Sequence, residues 1–216
     1  MKKFIKNSLL SILLLAFILV PLKSHALENA YSKDVNYTKA SCELRMMQRR
    51  LWIDHVSWTR SLIISDLASL EDTEPVLERL LRNQVDIGNS IKPFYGDEAG
   101  NKLTSLLKDH IQLAVKVTDA AKAGNKDDLE KYNKLWYKNA DDIAKFLSSA
   151  NPNYSEETLK DMLYKHLQFI TDQVVARLNK DWNADIEAYD KNEDHMIMLA
   201  DILTDGIIKQ FPQKFK

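Results

Sequence analysis

Cysteine occurs once in the 216 residues, at Cys42, so the chain has no intramolecular disulfide to staple it. Glycine and proline number only five each. That is little material for the tight turns of a many-stranded sheet, and strictly alternating apolar and polar runs are also missing. The expected fold class is all-α, an antiparallel helical bundle of five to six helices. Past the N-terminal segment no stretch approaches about 18 unbroken apolar residues, so no membrane span is expected there. Neither charge sign dominates, with 30 basic and 31 acidic residues. Glycine-rich nucleotide loops, Gly-x-Ser-x-Gly, His-Glu-x-x-His, Cys-x-x-Cys, Asp-x-Asp and Glu-x-x-His are all absent from the sequence. The chain therefore reads as a binding protein more than an enzyme.

What the N-terminus contains is a leader. Lys2, Lys3 and Lys6 precede the apolar run Leu9 to Val20, and Ser24-His25-Ala26 supplies the small residues a signal peptidase reads. Residues 1–26 are expected to be a signal peptide cut before Leu27, with 27–41 a flexible lead and 42–216 a single helical-bundle domain. The product would be exported, to the cell envelope or the medium. Loss of Lys2, Lys3, Lys6 and Lys23 with the leader leaves 26 basic against 31 acidic residues, a net of -5. That balance argues against nucleic acid and anionic membrane surfaces as partners and leaves a metal ion or an envelope component. Cys42 is expected to be an unpaired thiol in a loose N-terminal segment.

Punctuation places the helices. The first is expected near 42 to 70, and Thr73-Glu74-Pro75 starts a second that ends before Lys92-Pro93-Phe94-Tyr95-Gly96. Asp97 restarts the chain toward Gly124, a glycine suited to a left-handed C-cap, and Asn125 caps the next helix. After the Asn151-Pro152-Asn153 turn, Ser155 caps a helix whose apolar stripe runs on through Val174, Leu178, Trp182, Ile186 and Tyr189. A last helix covers roughly 193 to 211 and stops at Pro212.

Four histidines fall on these apolar stripes, where histidine is least expected. The stripes read Trp52, His55, Thr59, Leu62, Asp66; Leu103, Leu107, His110, Ala114, Val117; Leu159, Leu163, His166, Ile170, Gln173; and His195, Leu199, Ile202, Gly206. Imidazoles converging from separate helices make a metal or acid/base site. His110 and His166 each lie about 14 residues from a turn flanking the helix of Asn139, which at about 1.5 Å per residue brings the three to one height. The continuous stripe through Trp182 and Tyr189 puts the next reversal at Lys191-Asn192, so that His55 pairs with His195. A reversal between Asn179 and Asn183 would instead gather all four histidines. Asp66, on the first seam, is the best carboxylate to join His55, His110, His166 and His195 as a metal ligand, ahead of Asp54, Asp109 and Asp194. Asn139, Trp52 and Trp136 are expected to line the pocket. Asp-His recurs at 54, 109 and 194, but the surrounding segments differ too much to define an internal repeat.

The segments Leu51 to Arg60 (LWIDHVSWTR), Asp86 to Gly96 (DIGNSIKPFYG), Leu135 to Ala144 (LWYKNADDIA) and Gly206 to Pro212 (GIIKQFP) resemble a group of small exported helical proteins of Gram-positive bacteria. The resemblance spans about residues 45 to 216 and implies an exported helical domain with no established activity. Proteins of this look are sometimes labelled glycosyltransferase or acetylglutamate kinase, names whose nucleotide motifs this sequence lacks. The reading is an exported bundle of binding type whose interior histidines suit zinc, iron or copper. Its rival is an envelope interaction or structural module with histidines that only satisfy core hydrogen bonds. An acid/base enzyme using His110 or His166 with Asn139 is the weakest reading.

Overall fold

A computed structural model describes residues 38–216; the expected leader and residues 27–37 of the lead lie outside these residues. Every regular element among them is helical: α1 (Lys39–Leu67), α2 (Thr73–Ala123), α3 (Lys126–Ala150), α4 (Glu156–Leu178), α5 (Trp182–Gln210) and a closing 3-10 turn, Pro212–Phe215. The fold is an all-α bundle, and none of these helices is long and apolar enough to cross a membrane. Gly96, at φ 83° and ψ 171°, breaks α2 into two rods, 73–95 and 97–123. Only glycine holds that backbone without a Cβ penalty.

Local chemistry sets most ends. Asn125 accepts from Asp128 N, Ser155 accepts from Thr158 N, and Gly124 closes α2 in the left-handed region at φ 67°. Three ends differ from expectation, the first being that of the helix expected to stop before Lys92, which carries Pro93 within it and runs on to Tyr95. Thr38 and Ser41 form a reciprocal capping box that starts α1 at Lys39, so Cys42 sits half-buried in the helix and not in a loose lead. The helix that starts after Ser155 does not follow its apparent stripe to Tyr189: α4 stops at Leu178, and the chain reverses through Asn179, Lys180 and Asp181. Lys180 takes φ 59°, and Asp181 caps α5 by accepting from Ala184 N. Trp182 and Ile186, which carried the apparent stripe across this turn, are 52% and 49% exposed. Their periodicity reflected no buried face.

The six rods form three antiparallel hairpins. In the first, Gln48 meets Ser90, Leu51 meets Asn83 and Asp54 meets Arg79, so partner numbers fall as α1 advances. The second joins 97–123 to α3, and the third joins α4 to α5. Neighbours pack in the ring order α1, α2, α3, α4, α5, with α5 closing back on α1. Arg45 and Arg49 of α1 bind Asp201 across that closure, while Arg60 of α1 and Arg177 of α4 share Asp185. Asp185 is 1% exposed, a buried charge held by two guanidinium groups. The main apolar core joins Trp52, Ile87, Leu107, Trp136, Leu163, Met196 and Leu199 from all the hairpins, and a smaller cluster gathers Leu62, Leu80 and Ile111.

Candidate functional site

The first helix of each hairpin carries one histidine into the centre of the bundle. His55, His110 and His166 are 2%, 3% and 2% exposed. The His55 and His166 rings lie 5.4 Å apart with their Nε2 atoms at 3.4 Å, and His110 stacks on His166 at 6.0 Å. Trp52 meets the His55 ring edge-on at 5.6 Å, and Trp136 tilts against His110 at 5.5 Å. Each tryptophan therefore touches a histidine of the layer, and Trp52 also lines a small apolar cavity.

Asparagine carbonyls decide the tautomers. Asn139 donates from Nδ2 to the Leu106 carbonyl, which orients its amide, and its Oδ1 faces His110 Nδ1 at 2.8 Å. A carbonyl oxygen only accepts, so His110 carries its proton on Nδ1 and keeps a lone pair on Nε2. Asn192 Oδ1 holds His166 Nδ1 in the same way at 2.7 Å. Nδ1 of His55 and Oε1 of Gln84 are both buried without a partner of normal hydrogen-bond geometry, and hydrogen bonding to Gln84 partly opposes the effect of burial on the His55 ring. Burial disfavours the charged form of all three rings, assisted by the neighbouring imidazoles for His55 and His166. It lowers His55 to about 3 and His110 to about 4, and puts His166 well below its ordinary value.

A repeated hydrogen bond underlies the layer. Asn83 donates to the carbonyl of Leu51, Asn139 to that of Leu106, and His195 to that of Met162, across 32, 33 and 33 positions. Each acceptor lies one helical turn before the layer histidine of its hairpin: Leu51 before His55, Leu106 before His110, Met162 before His166. Asn139 alone does both jobs, donating to the carbonyl and accepting from the imidazole. The third hairpin divides them between His195 and Asn192, which leaves Asn192 Nδ2 without a partner.

Several expectations are corrected by this arrangement. The early reversal at 179–181 removes the two-pair scheme: His55 meets His166, not His195. His195 stays outside the layer, bonded to Met162 O at 2.8 Å and edge-on to Phe169. Asn139 binds His110 and does not lie between it and His166. Asp66 is three turns beyond His55 at the end of α1, where its carboxylate lies 3.4 Å from Lys122 Nζ. Asp54 pairs with Arg79, and Asp109 and Asp194 are exposed. Sequence reasoning missed Asn83, Gln84 and Asn192; a search for amide residues one helix downstream of each seam histidine would have found them.

A pocket of about 160 Å³ adjoins the layer. Thr59, Ala114 and Ile170, each one turn beyond a layer histidine, line its inner end, and the acidic residues Asp66, Glu74 and Asp119 line it toward the surface. Burial and the nearby Asp66 carboxylate raise the Asp119 pKa. A smaller apolar cavity of about 30 Å³ lies on the other side, bounded by Trp52, Leu103, Leu163 and Leu199 among others. No protein-family model, curated protein or solved structure matches the chain.

Proposed function

We propose that this chain is an exported binding protein whose interior imidazoles take up a transition-metal ion such as zinc, iron or copper. The observation that carries the reading is the 3.4 Å approach of His55 Nε2 to His166 Nε2. Two nitrogens at about 2.05 Å from one tetrahedral ion stand roughly 3.3 Å apart. The proton count supports it. If His55 donates from Nε2 to His166, its buried Nδ1 lacks a donor; if Nδ1 carries the proton, two lone pairs face each other. A cation between the Nε2 atoms relieves the second arrangement, and Asn192 supplies the outer hydrogen bond that metal-bound imidazoles ordinarily make. The acid-lined pocket one turn away offers a cation its route to the layer.

The test is elemental analysis of the mature protein purified without a histidine tag, followed by thermal melts with zinc, copper and iron. Retained metal, or a melting temperature that climbs with free metal, is the expected result. No retained metal and an unchanged melt across all three would overturn it. One observation favours the second reading, an envelope interaction or structural module: among the described residues no three His, Cys, Asp or Glu side chains are assembled as a ready metal group.

A further inference from the structure

The pocket between α1, both rods of α2 and α4 has walls and an entrance of opposite character. Leu62, Leu80, Ile111 and Ile170, none more than 7% exposed, form its walls, while Asp66, Glu74 and Asp119 line it toward the surface. Its side-chain hydroxyls have no proton left to give: Thr59 donates to the His55 carbonyl, Thr118 to that of Ala114 and Thr73 to that of Leu70. Their oxygens keep lone pairs, so at neutral pH every polar side chain of the lining meets a ligand as an acceptor. Lys122 bonds at the entrance, to the Asp66 main-chain and carboxylate oxygens and to Ser69 Oγ. Glu74 and Asp119 have no ion pair or side-chain hydrogen bond of their own among the described residues. A further acceptor stands at the level of the walls. Gln173 lies two turns past His166, as Leu62 does past His55; it is 1% exposed, and its Oε1 has no hydrogen-bond partner among the described residues.

We propose that this pocket binds a small primary amine, an ammonium carried on an apolar body of phenyl size, with the body between Leu62, Leu80, Ile111 and Ile170 and the charge among Asp66, Glu74 and Asp119. The site does not depend on the metal reading; the two share only the acidic entrance. An apolar cavity of about 150 Å³ takes a benzene ring, and this pocket has about 160 Å³. Along α1 it extends from Thr59 to Asp66, roughly 10 Å at about 1.5 Å per residue, the span of an aromatic ring with a short amine tail. Both halves of the ligand are needed. A hydrated metal ion gains nothing from aliphatic walls, and a neutral hydrocarbon gains nothing from the carboxylates. Burial and the Asp66 carboxylate raise the Asp119 pKa, so a second cation beside Lys122 relieves a repulsion already present.

Isothermal titration calorimetry of the untagged mature chain with phenethylamine, in EDTA so that no metal contributes, tests the proposal. Saturable binding at one site is expected, with NMR amide shifts at Thr59, Ile111 and Ile170. Phenethyl alcohol, which lacks the charge, and ethylamine, which lacks the ring, should each bind about 10- to 100-fold more weakly. The double variant Glu74→Gln/Asp119→Asn removes two exposed carboxylates and should weaken phenethylamine about 10-fold while circular dichroism shows the chain still folded. A dissociation constant weaker than about 10 mM overturns the proposal. So does an alcohol that binds as tightly as the amine, ethylamine that binds as tightly as phenethylamine, or an affinity unchanged in the double variant. None of these outcomes depends on whether zinc, copper or iron binds the imidazoles.

Discussion

His195 reaches the carbonyl of Met162 across 33 positions, the same offset at which Asn139 reaches the carbonyl of Leu106. An imidazole thus stands where the second hairpin has an amide. The replacement keeps the donor and loses the acceptor, because an imidazole donating from Nε2 presents no carbonyl oxygen. Asn192, one turn earlier on α5, restores the acceptor for His166. His195 therefore belongs to the support of the layer, and its own pKa is lowered chiefly by burial.

Acid should unfold the metal-free protein well before its carboxylates are titrated. Burial lowers the folded pKa of His55 to about 3 and of His110 to about 4, with His166 also well below 6.5. The unfolded chain binds those protons near pH 6.5, so stability is complete above that pH and falls as pH drops from there toward the folded values. Each ring contributes a slope of about 1.4 kcal/mol per pH unit in that window. Three rings would consume a typical domain stability of roughly 5–15 kcal/mol within a few units. Urea midpoints between pH 7.5 and 4.5 should show this fall, and His110→Leu should flatten it. A midpoint constant down to pH 5 would contradict neutral buried rings.

His110 and Asn139 should be strongly coupled. His110→Leu strands the Asn139 carbonyl oxygen in the core and is expected to cost about 2–3 kcal/mol, the penalty for an unmet buried polar group plus lost packing. The His110→Leu/Asn139→Leu double variant should cost less than the sum of the singles, with a coupling of at least about 1 kcal/mol by chemical denaturation. Additive costs would mean the pair does not act as a unit.

Asp185→Ala should be among the most damaging single changes on the α1 to α5 side. It leaves the guanidinium groups of Arg60 and Arg177 facing each other without their shared carboxylate. Breaking a buried pair of this kind costs about 3–5 kcal/mol, measurable as a large drop in melting temperature. Asp205→Ala should cost less, because Arg45 keeps its second carboxylate partner, Asp201.

Lys180→Gly should stabilise the protein. Lys180 holds φ 59° in the exposed turn between α4 and α5, a region where a Cβ costs roughly 1 kcal/mol and glycine does not. A rise in melting temperature of a few degrees is expected. A fall would show that the lysine side chain contributes more to the turn than its backbone strain removes.

The comparison of Asn125 with Lys180 shows how far the sequence could be read. Asn125, Ser155 and Gly124 stand at the expected element boundaries, because a capping oxygen or a missing Cβ acts on backbone within a few residues of itself, whereas the helix expected to end before Lys92 runs through Pro93 to Tyr95 and breaks only at Gly96. The reversal at Lys180 has no glycine or proline to mark it. Trp182 and Ile186 continue the apolar spacing beyond it while about half exposed, with the Arg177 guanidinium 5.2 Å over the Trp182 ring. Spacing records which residues share a helix face; it does not say that the face is covered.

The all-α class and the inward course of His55, His110 and His166 were determined by the sequence alone, since amphipathic period and local capping act within one helix. Which histidines meet was decided only in three dimensions. A single early turn moved His195 out of partnership with His55 and brought His166 in. The threefold repeat was likewise hidden, because its constant element is a hydrogen bond to a main-chain carbonyl, at Leu51, Leu106 and Met162. Every residue type carries that acceptor, so it leaves no mark in the sequence, and the donor can change from asparagine to histidine without loss of the bond.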